Sequence, residues 1–278
     1  MSFSRCMSTR RKECIILNID DDLTDFSTAW RYQKVLSEHI HSSRKAHNPS
    51  PCYILVVEHP RVFTLGRGGS VENLKFEVGG VESADVIRIE RGGEVTWHGP
   101  GQIVVYPILD LDNHKRDLHW YTSQLEESVI RLLNDEYNID GVRNDVNTGV
   151  WVENNKIAAV GVTASRWITM HGMSLNVNPS MDDFNLIVPC GITEAGFGVC
   201  SLHQLLSRQN RQTSHKKPVK NRDDTLQDTR MKLIDKLVST FAFDSVKILQ
   251  GAAGRQHAQC ILEASPKIQS MELRPNQL

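Results

Sequence analysis

Residues 53–57 and 103–108 are unbroken apolar runs, residues 86–90 alternate apolar with polar, and turn-forming residues bound all three. Each predicts a β-strand. Over residues 117–137, Leu118, Tyr121, Leu125, Val129, Leu132 and Leu133 recur mostly at three- and four-residue steps. That stripe predicts an amphipathic helix with Asp117 as its N-cap. Residues 148–152 and 157–162 are again β-rich, separated by Glu153-Asn154-Asn155-Lys156. Paired asparagines suit positive φ, so the spacing predicts a hairpin with Lys156 at the start of its second strand. A further strand is expected over residues 173–177, and Met231, Ile234, Leu237, Val238 and Phe241 mark a late helix. Strands and helices mix without regular βαβ alternation, which points to an α+β domain rather than a doubly wound one.

The pattern fails in three places. Residues 207–225 carry Arg208, Arg211, Lys216, Lys217, Lys220 and Arg222 among polar neighbours with almost nothing apolar, and read as a solvated, mobile insertion. A docking patch for an acidic partner protein is the functional alternative. Residues 264–278, with two prolines, read as a polar tail. Residues 1–12 hold Arg5, Arg10, Arg11, Lys12 and three serines, with no acidic residue before Glu13. This leader resembles the end of a mitochondrial presequence, the alternative being a frayed terminus in a cytoplasmic protein. The expected organisation is thus a leader (1–12), one domain (13–263) carrying the insertion (207–225), and a tail (264–278).

Composition narrows the function classes. With 278 residues, 40% of them hydrophobic, the chain can bury a full core without covalent staples. A formal charge of −1 argues against a general nucleic-acid or membrane-surface binder. The longest apolar runs fall far short of the roughly 20 residues that span a bilayer. The six cysteines, at 6, 14, 52, 190, 200 and 260, show neither Cys-x-x-Cys spacing nor paired histidines. Neither a disulfide framework nor a metal site is expected, and a reducing compartment fits.

Candidate chemistry sits in three segments. Residues 91–102 read Arg-Gly-Gly-Glu-Val-Thr-Trp-His-Gly-Pro-Gly-Gln, with four glycines between two predicted strands. Such a segment serves either as a tight turn or as a cradle in which a ligand lies against bare peptide N–H groups, with Arg91, Thr96 and His98 adding side-chain donors. In Val188-Pro189-Cys190-Gly191-Ile192 the cysteine stands on a constrained turn, a setting equally suited to an inert small hydrophobe and to a thiol at a pocket lip. Lys156 is the candidate activator, because a nearby ammonium favours the thiolate; the alternative is a snorkelling hairpin lysine. His98 and His171 are read as positioning residues, although either would also serve a Cys–His dyad.

Together, residues 91–102, Lys156-Ile-Ala-Ala-Val-Gly-Val162, His171-Gly-Met-Ser-Leu-Asn-Val177 and Val188-Pro-Cys-Gly-Ile192 resemble the lipoyl(octanoyl) transferases in order and spacing. Phe63-Thr-Leu-Gly-Arg67 and Ser165-Arg-Trp-Ile-Thr-Met170 extend the likeness to about residues 15–206. The resemblance implies a biotin/lipoate protein ligase-like fold, with mixed or antiparallel sheets flanked by helices. It implies transfer of an octanoyl group from octanoyl-acyl carrier protein to a lysine of lipoyl domains, in 2-oxoacid dehydrogenase subunits and the glycine cleavage H protein. Cys190 would be the nucleophile and Lys156 its activator and acid/base. The substrate pocket would be lined by Arg91, Gly92, Gly93, Glu94, Val95, Thr96, Trp97 and His98, by Ala159, Val160 and Gly161, and by Gly172, Met173 and Ser174. No cofactor or metal is implied, and a monomer is expected. Cys200 departs from the pattern, standing where the family has threonine, and the leader and insertion are extra to the compact bacterial form. The alternatives are an ATP-dependent lipoate or biotin protein ligase and a noncatalytic protein that binds acyl chains or lipoyl domains.

Overall fold

The computed structural model describes residues 11–48, 50–79, 85–144, 147–188, 196–212 and 222–276. The chain begins β1 (Glu13–Asn18), α1 (Phe26–Lys45), β2 (Cys52–Val57), β3 (Val62–Leu65), β4 (Asp85–Arg88), β5 (Val95–His98) and β6 (Gln102–Ile108). It continues through α2 (Leu118–Tyr137), β7 (Val142–Arg143), β8 (Gly149–Val152), β9 (Asn155–Ser165) and β10 (Ile168–Asn176). After β11 (Gly198–Val199) come α3 (Leu202–Gln212), α4 (Arg222–Phe241), β12 (Ser245–Gln250), α5 (Ala252–Glu263) and the short α6 (Pro266–Gln269).

The larger sheet has the order β12-β1-β2-β6-β10-β9-β8-β7, with β11 beside the start of β9. Its β12, β1 and β2 run parallel, and from β2 to β7 all neighbours are antiparallel. A smaller sheet has the order β4-β3-β5. The domain is therefore α+β with mixed sheets, as expected.

The unbroken apolar runs have a simple cause. In β2, Cys52, Ile54 and Val56 join Tyr121, Leu125 and Leu133 of α2 and Leu233, Ile234 and Leu237 of α4 in one core. Tyr53, Leu55 and Val57 enter a second core with Tyr32, Val35 and Leu36 of α1 and Leu262 of α5. A strand covered by helices on both faces has no polar side to show. Helix α2 begins as predicted, with the Asp117 carboxylate accepting the Trp120 N–H at 3.0 Å.

Four expectations need amendment or fall outside the described residues. The predicted hairpin forms, but Glu153, with φ 54°, takes the left-handed position instead of an asparagine, and β9 begins at Asn155. The polar stretch 207–225 is helical at both ends: residues 207–212 continue α3, residues 222–225 open α4, and Arg208 pairs with Glu153 at 3.0 Å. The part at 213–221 lies outside the described residues, as do residues 1–10 of the leader. The polar tail is docked: Asn276 N–H donates to Val86 O (2.7 Å), Val86 N–H returns a bond to Asn276 Oδ1 (3.0 Å), and Leu273 packs on Val62, Ile87 and Ile89. Ile268 of α6 also packs against the core shared by α1 and α5, and composition could not reveal any of these contacts.

Candidate active site

Where the small sheet meets the large one, a cavity of about 370 Å³ opens between the glycine-rich segment and strands β6, β9 and β10. Strand alternation decides what reaches it. Along β5, Thr96 and His98 line the cavity, while Val95 and Trp97 point to the opposite face and pack with Phe63, Leu65, Phe184 and Ile187. Arg91, Gly92, Gly93 and Glu94 line it, as do Ala159, Val160 and Gly161 from β9 and Gly172, Met173 and Ser174 from β10. Of the residues predicted to line the pocket, Val95 and Trp97 are therefore the two that do not reach it, their side chains belonging to a core on the other face of the strand.

The loop is anchored by its own polar groups. Gly92 N–H donates to Val162 O on β9 at 2.9 Å. Arg91 spends donors on the backbone around it, with Nη2 on Thr64 O (2.8 Å) and Thr64 Oγ1 (2.9 Å) and Nη1 on Gly92 O (2.9 Å). Its guanidinium thus shapes the loop as well as lining the cavity. Gly101 (φ 87°) turns the chain into β6: its N–H donates to Glu58 Oε2 at 2.9 Å and its carbonyl accepts from Val177 and Asn178.

Lys156 lines the cavity and is 4% exposed. Its direction follows from a β-bulge. The register runs Val152↔Asn155 and Trp151↔Lys156, then slips so that Val150 faces Ala158 and Gly149 faces Ala159, leaving Ile157 as the extra residue of β9. Ile157 and Ala158 both enter the core, and the next residues to meet the cavity are Ala159 to Val162. The Lys156 ammonium stands over the Trp151 ring, 5.0 Å from its centroid.

Cys190 lies outside the described residues, but both flanks of its segment are placed. On one side Val188 N–H donates to Asn73 O (2.8 Å), and Asn73 Nδ2 holds the Glu94 carboxylate (3.0 Å) at the cavity rim. On the other, Val199 is the register partner of Lys156, and Cys200 N–H donates to Lys156 O (3.0 Å). Burial pushes the Cys200 thiol up to about 12 and Glu153 adds to it, so it stays protonated and acts as a packing group.

Burial disfavours the charged form of the histidines at the cavity, His98 and His171, and of His59 packed against His98. His98 Nδ1–H donates to Gln102 Oε1 (2.7 Å), an orientation fixed because Gln102 Nε2 donates to Asn176 Oδ1 (2.9 Å) and Trp97 O (3.3 Å). Burial, reinforced by His59, lowers His98 to about 3. His59 donates from Nδ1 to Thr24 O (2.6 Å) and accepts the Tyr106 hydroxyl at Nε2 (2.8 Å), and burial lowers it to about 4. His171 is held at φ 57°, its N–H on Gln33 Oε1 (2.7 Å). Burial lowers it too, and its Nε2 is 3.7 Å from Glu90 Oε2, beyond hydrogen-bond reach. Burial alone would raise Glu90, but contacts with His171 and Lys34 hold it well below the usual carboxylate range.

Sequence reasoning missed Phe26, Ile89, Val104, Tyr106, Thr122, Asn147, Thr148 and Val162, which also line the cavity. For Val104 and Tyr106 the only signal was membership of an apolar run. Phe26 and Thr122 come from helices, and their arrival depends on packing. Among the described residues, no three His, Cys, Asp or Glu side chains converge to hold a metal ion, and no helix is long and apolar enough to cross a membrane.

This architecture is shared with a solved structure of lipoate-protein ligase A bound with ATP, at a TM-score of 0.57 and 14% identity, covering 94% of this chain and 97% of that one. The fold is accordingly that of lipoate protein ligase catalytic domains. Residues 25–221 match the family model of the lipoyl protein ligase A/B catalytic domain, and the chain belongs to that family. The chloroplastic octanoyltransferase of Arabidopsis thaliana is 44% identical over 190 residues, 68% of this chain and 68% of that protein. An octanoyltransferase of Gloeobacter violaceus is 46% identical over 177 residues, 64% of this chain and 76% of that protein.

Proposed function

We propose that this protein is an acyltransferase that moves an octanoyl group from octanoyl-acyl carrier protein to a lysine of a lipoyl domain, with Cys190 as the covalent carrier. Identity to octanoyltransferases supports the reaction class. The observation that carries the mechanism is Lys156, buried at the cavity edge and hydrogen-bonded through its backbone to the strand that follows Cys190. The Cys190 thiolate attacks the donor thioester, and the carrier leaves as its thiol, taking a proton from the Lys156 ammonium. The acceptor amine then attacks the Cys190 thioester, gives its proton to the Lys156 amine, and Cys190 is released. Thioester exchange is nearly isoenergetic and amide formation runs downhill, so no nucleotide is needed. Residues 91–94, Thr96, His98, 159–161 and 172–174 bind the acyl chain. The acceptors are lipoyl domains of 2-oxoacid dehydrogenase subunits and the glycine cleavage H protein, and the enzyme acts as a monomer. The basic leader, free of acidic residues, supports a mitochondrial location, checked by imaging a fluorescent fusion of residues 1–12.

The test is an intact-mass measurement of the protein mixed with octanoyl-acyl carrier protein without ATP. An octanoyl adduct mapped to Cys190, absent from Cys190→Ala and discharged by a lipoyl domain, is the expected result. A requirement for ATP would instead assign the ligase reaction, and unchanged turnover in Cys190→Ala would remove the covalent step. Lys156→Ala should slow acylation most near neutral pH and less as rising pH supplies thiolate directly.

A further inference from the structure

Burying a lysine ammonium is costly unless something compensates the charge. The acidic side chains packed round this corner are committed elsewhere. Glu126, on α2, accepts the Gly149 N–H at 2.8 Å and pairs with Arg143 at 3.3 Å. Glu153, in the hairpin turn, pairs with Arg208 at 3.0 Å. The Cys200 thiol, on the neighbouring strand, is held protonated. What meets the ammonium among the described residues is the face of Trp151.

The contact is built into the backbone. Trp151 and Lys156 are cross-strand partners on the hairpin, so their side chains leave the same face of the sheet. Trp151 is 1% exposed and cannot swing away: its Nε1–H donates to Asn147 O at 3.0 Å, and its ring meets Phe197 edge-on at 5.8 Å. Gly149 (φ 136°) gives the lysine stem its room, since a Cβ there would lie 3.4 Å from Lys156 Cδ and Cε and only 2.4 Å from Ala158 O. Phe197 immediately precedes β11, the strand paired with Asn155 and Lys156, and stands seven positions after Cys190 in sequence.

We propose that Trp151 is a positioning residue for the transfer: its indole face, braced by Phe197 and Asn147, holds the buried Lys156 side chain as an ammonium and fixes its aim. The inference rests on the Lys156–Cys190 chemistry proposed above. A ring quadrupole attracts the ammonium and not the neutral amine, more strongly when water is excluded, and indole does so better than phenol or benzene. The role is therefore electronic as well as steric, and should grade with the ring at position 151.

The experiment is the pH dependence of iodoacetamide alkylation at the Cys190 peptide, read by mass spectrometry in the full-length protein. It needs neither donor nor acceptor, so it is independent of transferase activity. Wild type is compared with Trp151→Tyr, Trp151→Phe, Trp151→Leu, Lys156→Ala and the double variant Trp151→Leu/Lys156→Ala. Thermal melts accompany each, and Trp151→Phe keeps an aromatic ring against Phe197 should the leucine variant fail to fold. In Trp151→Leu the reactive thiolate fraction at pH 7 is expected to fall about three- to tenfold, with tyrosine and phenylalanine in between. Adding Trp151→Leu to Lys156→Ala should have no further effect. If Lys156→Ala shifts the alkylation profile while the Trp151 series leaves it at wild type, Trp151 is packing only and the proposal fails alone. An unmoved profile in Lys156→Ala would overturn the Lys156–Cys190 reading and this proposal with it. A full shift from Trp151→Leu in the Lys156→Ala background would show that the ring does not act through the lysine.

Discussion

Single residues at the cavity floor are set by burial more than by residue type. The motif marked His98 and His171, but it could not say that burial would disfavour the charged form of both, because that follows from desolvation in the folded state. His98 is lowered to about 3, and His59, which accepts the Tyr106 hydroxyl beneath the cavity, to about 4, burial being the largest cause in each. An unfolded histidine titrates near 6.5. Above that pH both states are neutral and the contribution is fully present. Between about pH 6.5 and 4 the unfolded chain takes up protons that the folded chain refuses, so stability falls as pH falls. Urea denaturation between pH 7.5 and 4.5 should show this slope, and His98→Gln should flatten it. Equal slopes in the two proteins would mean that His98 is protonated in the folded state.

At the scale of elements, the strands and helices that periodicity marked do form, but it left several others unread and missed where strands slip. The hairpin was legible in residues 148–162, whereas the bulge at Ile157 was not, because one extra residue leaves no composition signature. That bulge lets Lys156 and Ala159 meet one cavity although they stand three positions apart. Helix α1 left no reading in the sequence, yet it delivers Phe26 to the cavity and caps itself through Asp25, which accepts the Thr28 N–H at 3.0 Å. The glycine-rich segment has a more specific demand. Gly101 has φ 87°, and a Cβ on it would lie 2.7 Å from the backbone carbon of Asn178. Gly101→Ala should destabilise the fold by more than about 1 kcal/mol, read as a lower denaturant midpoint with unchanged m-value.

Across the whole molecule, one buried ion pair joins the helical layer to the site. Arg230 of α4, fully buried, donates to Glu58 Oε1 at 2.8 Å, and the other Glu58 oxygen holds the Gly101 N–H at 2.9 Å. Arg230→Ala would strand the Glu58 carboxylate and should cost about 3–5 kcal/mol in urea denaturation. Glu58→Gln, which keeps an acceptor for Gly101, should cost less. A loss below about 1 kcal/mol in Arg230→Ala would mean that water replaces the guanidinium. Neither partner of this pair was legible as such: Glu58 ends an apolar run and Arg230 sits in a polar stretch of a helix.

The sequence by itself determined the mixed α+β class, the double-sided strands β2 and β6, the Asp117-capped helix α2, and the motif segments that supply more than half of the cavity lining, because periodicity and a motif with fixed glycines are local properties. The tertiary structure decided which side chains of that motif face inward. It sent Val95 and Trp97 to a core and Thr96 and His98 to the cavity, and it brought Phe26 and Tyr106 to the same space. It also set Lys156 over the Trp151 ring and fixed the charge state of each buried histidine. Those outcomes depend on register, on packing between elements far apart in sequence and on exclusion of water, and none of the three is a property of a segment on its own.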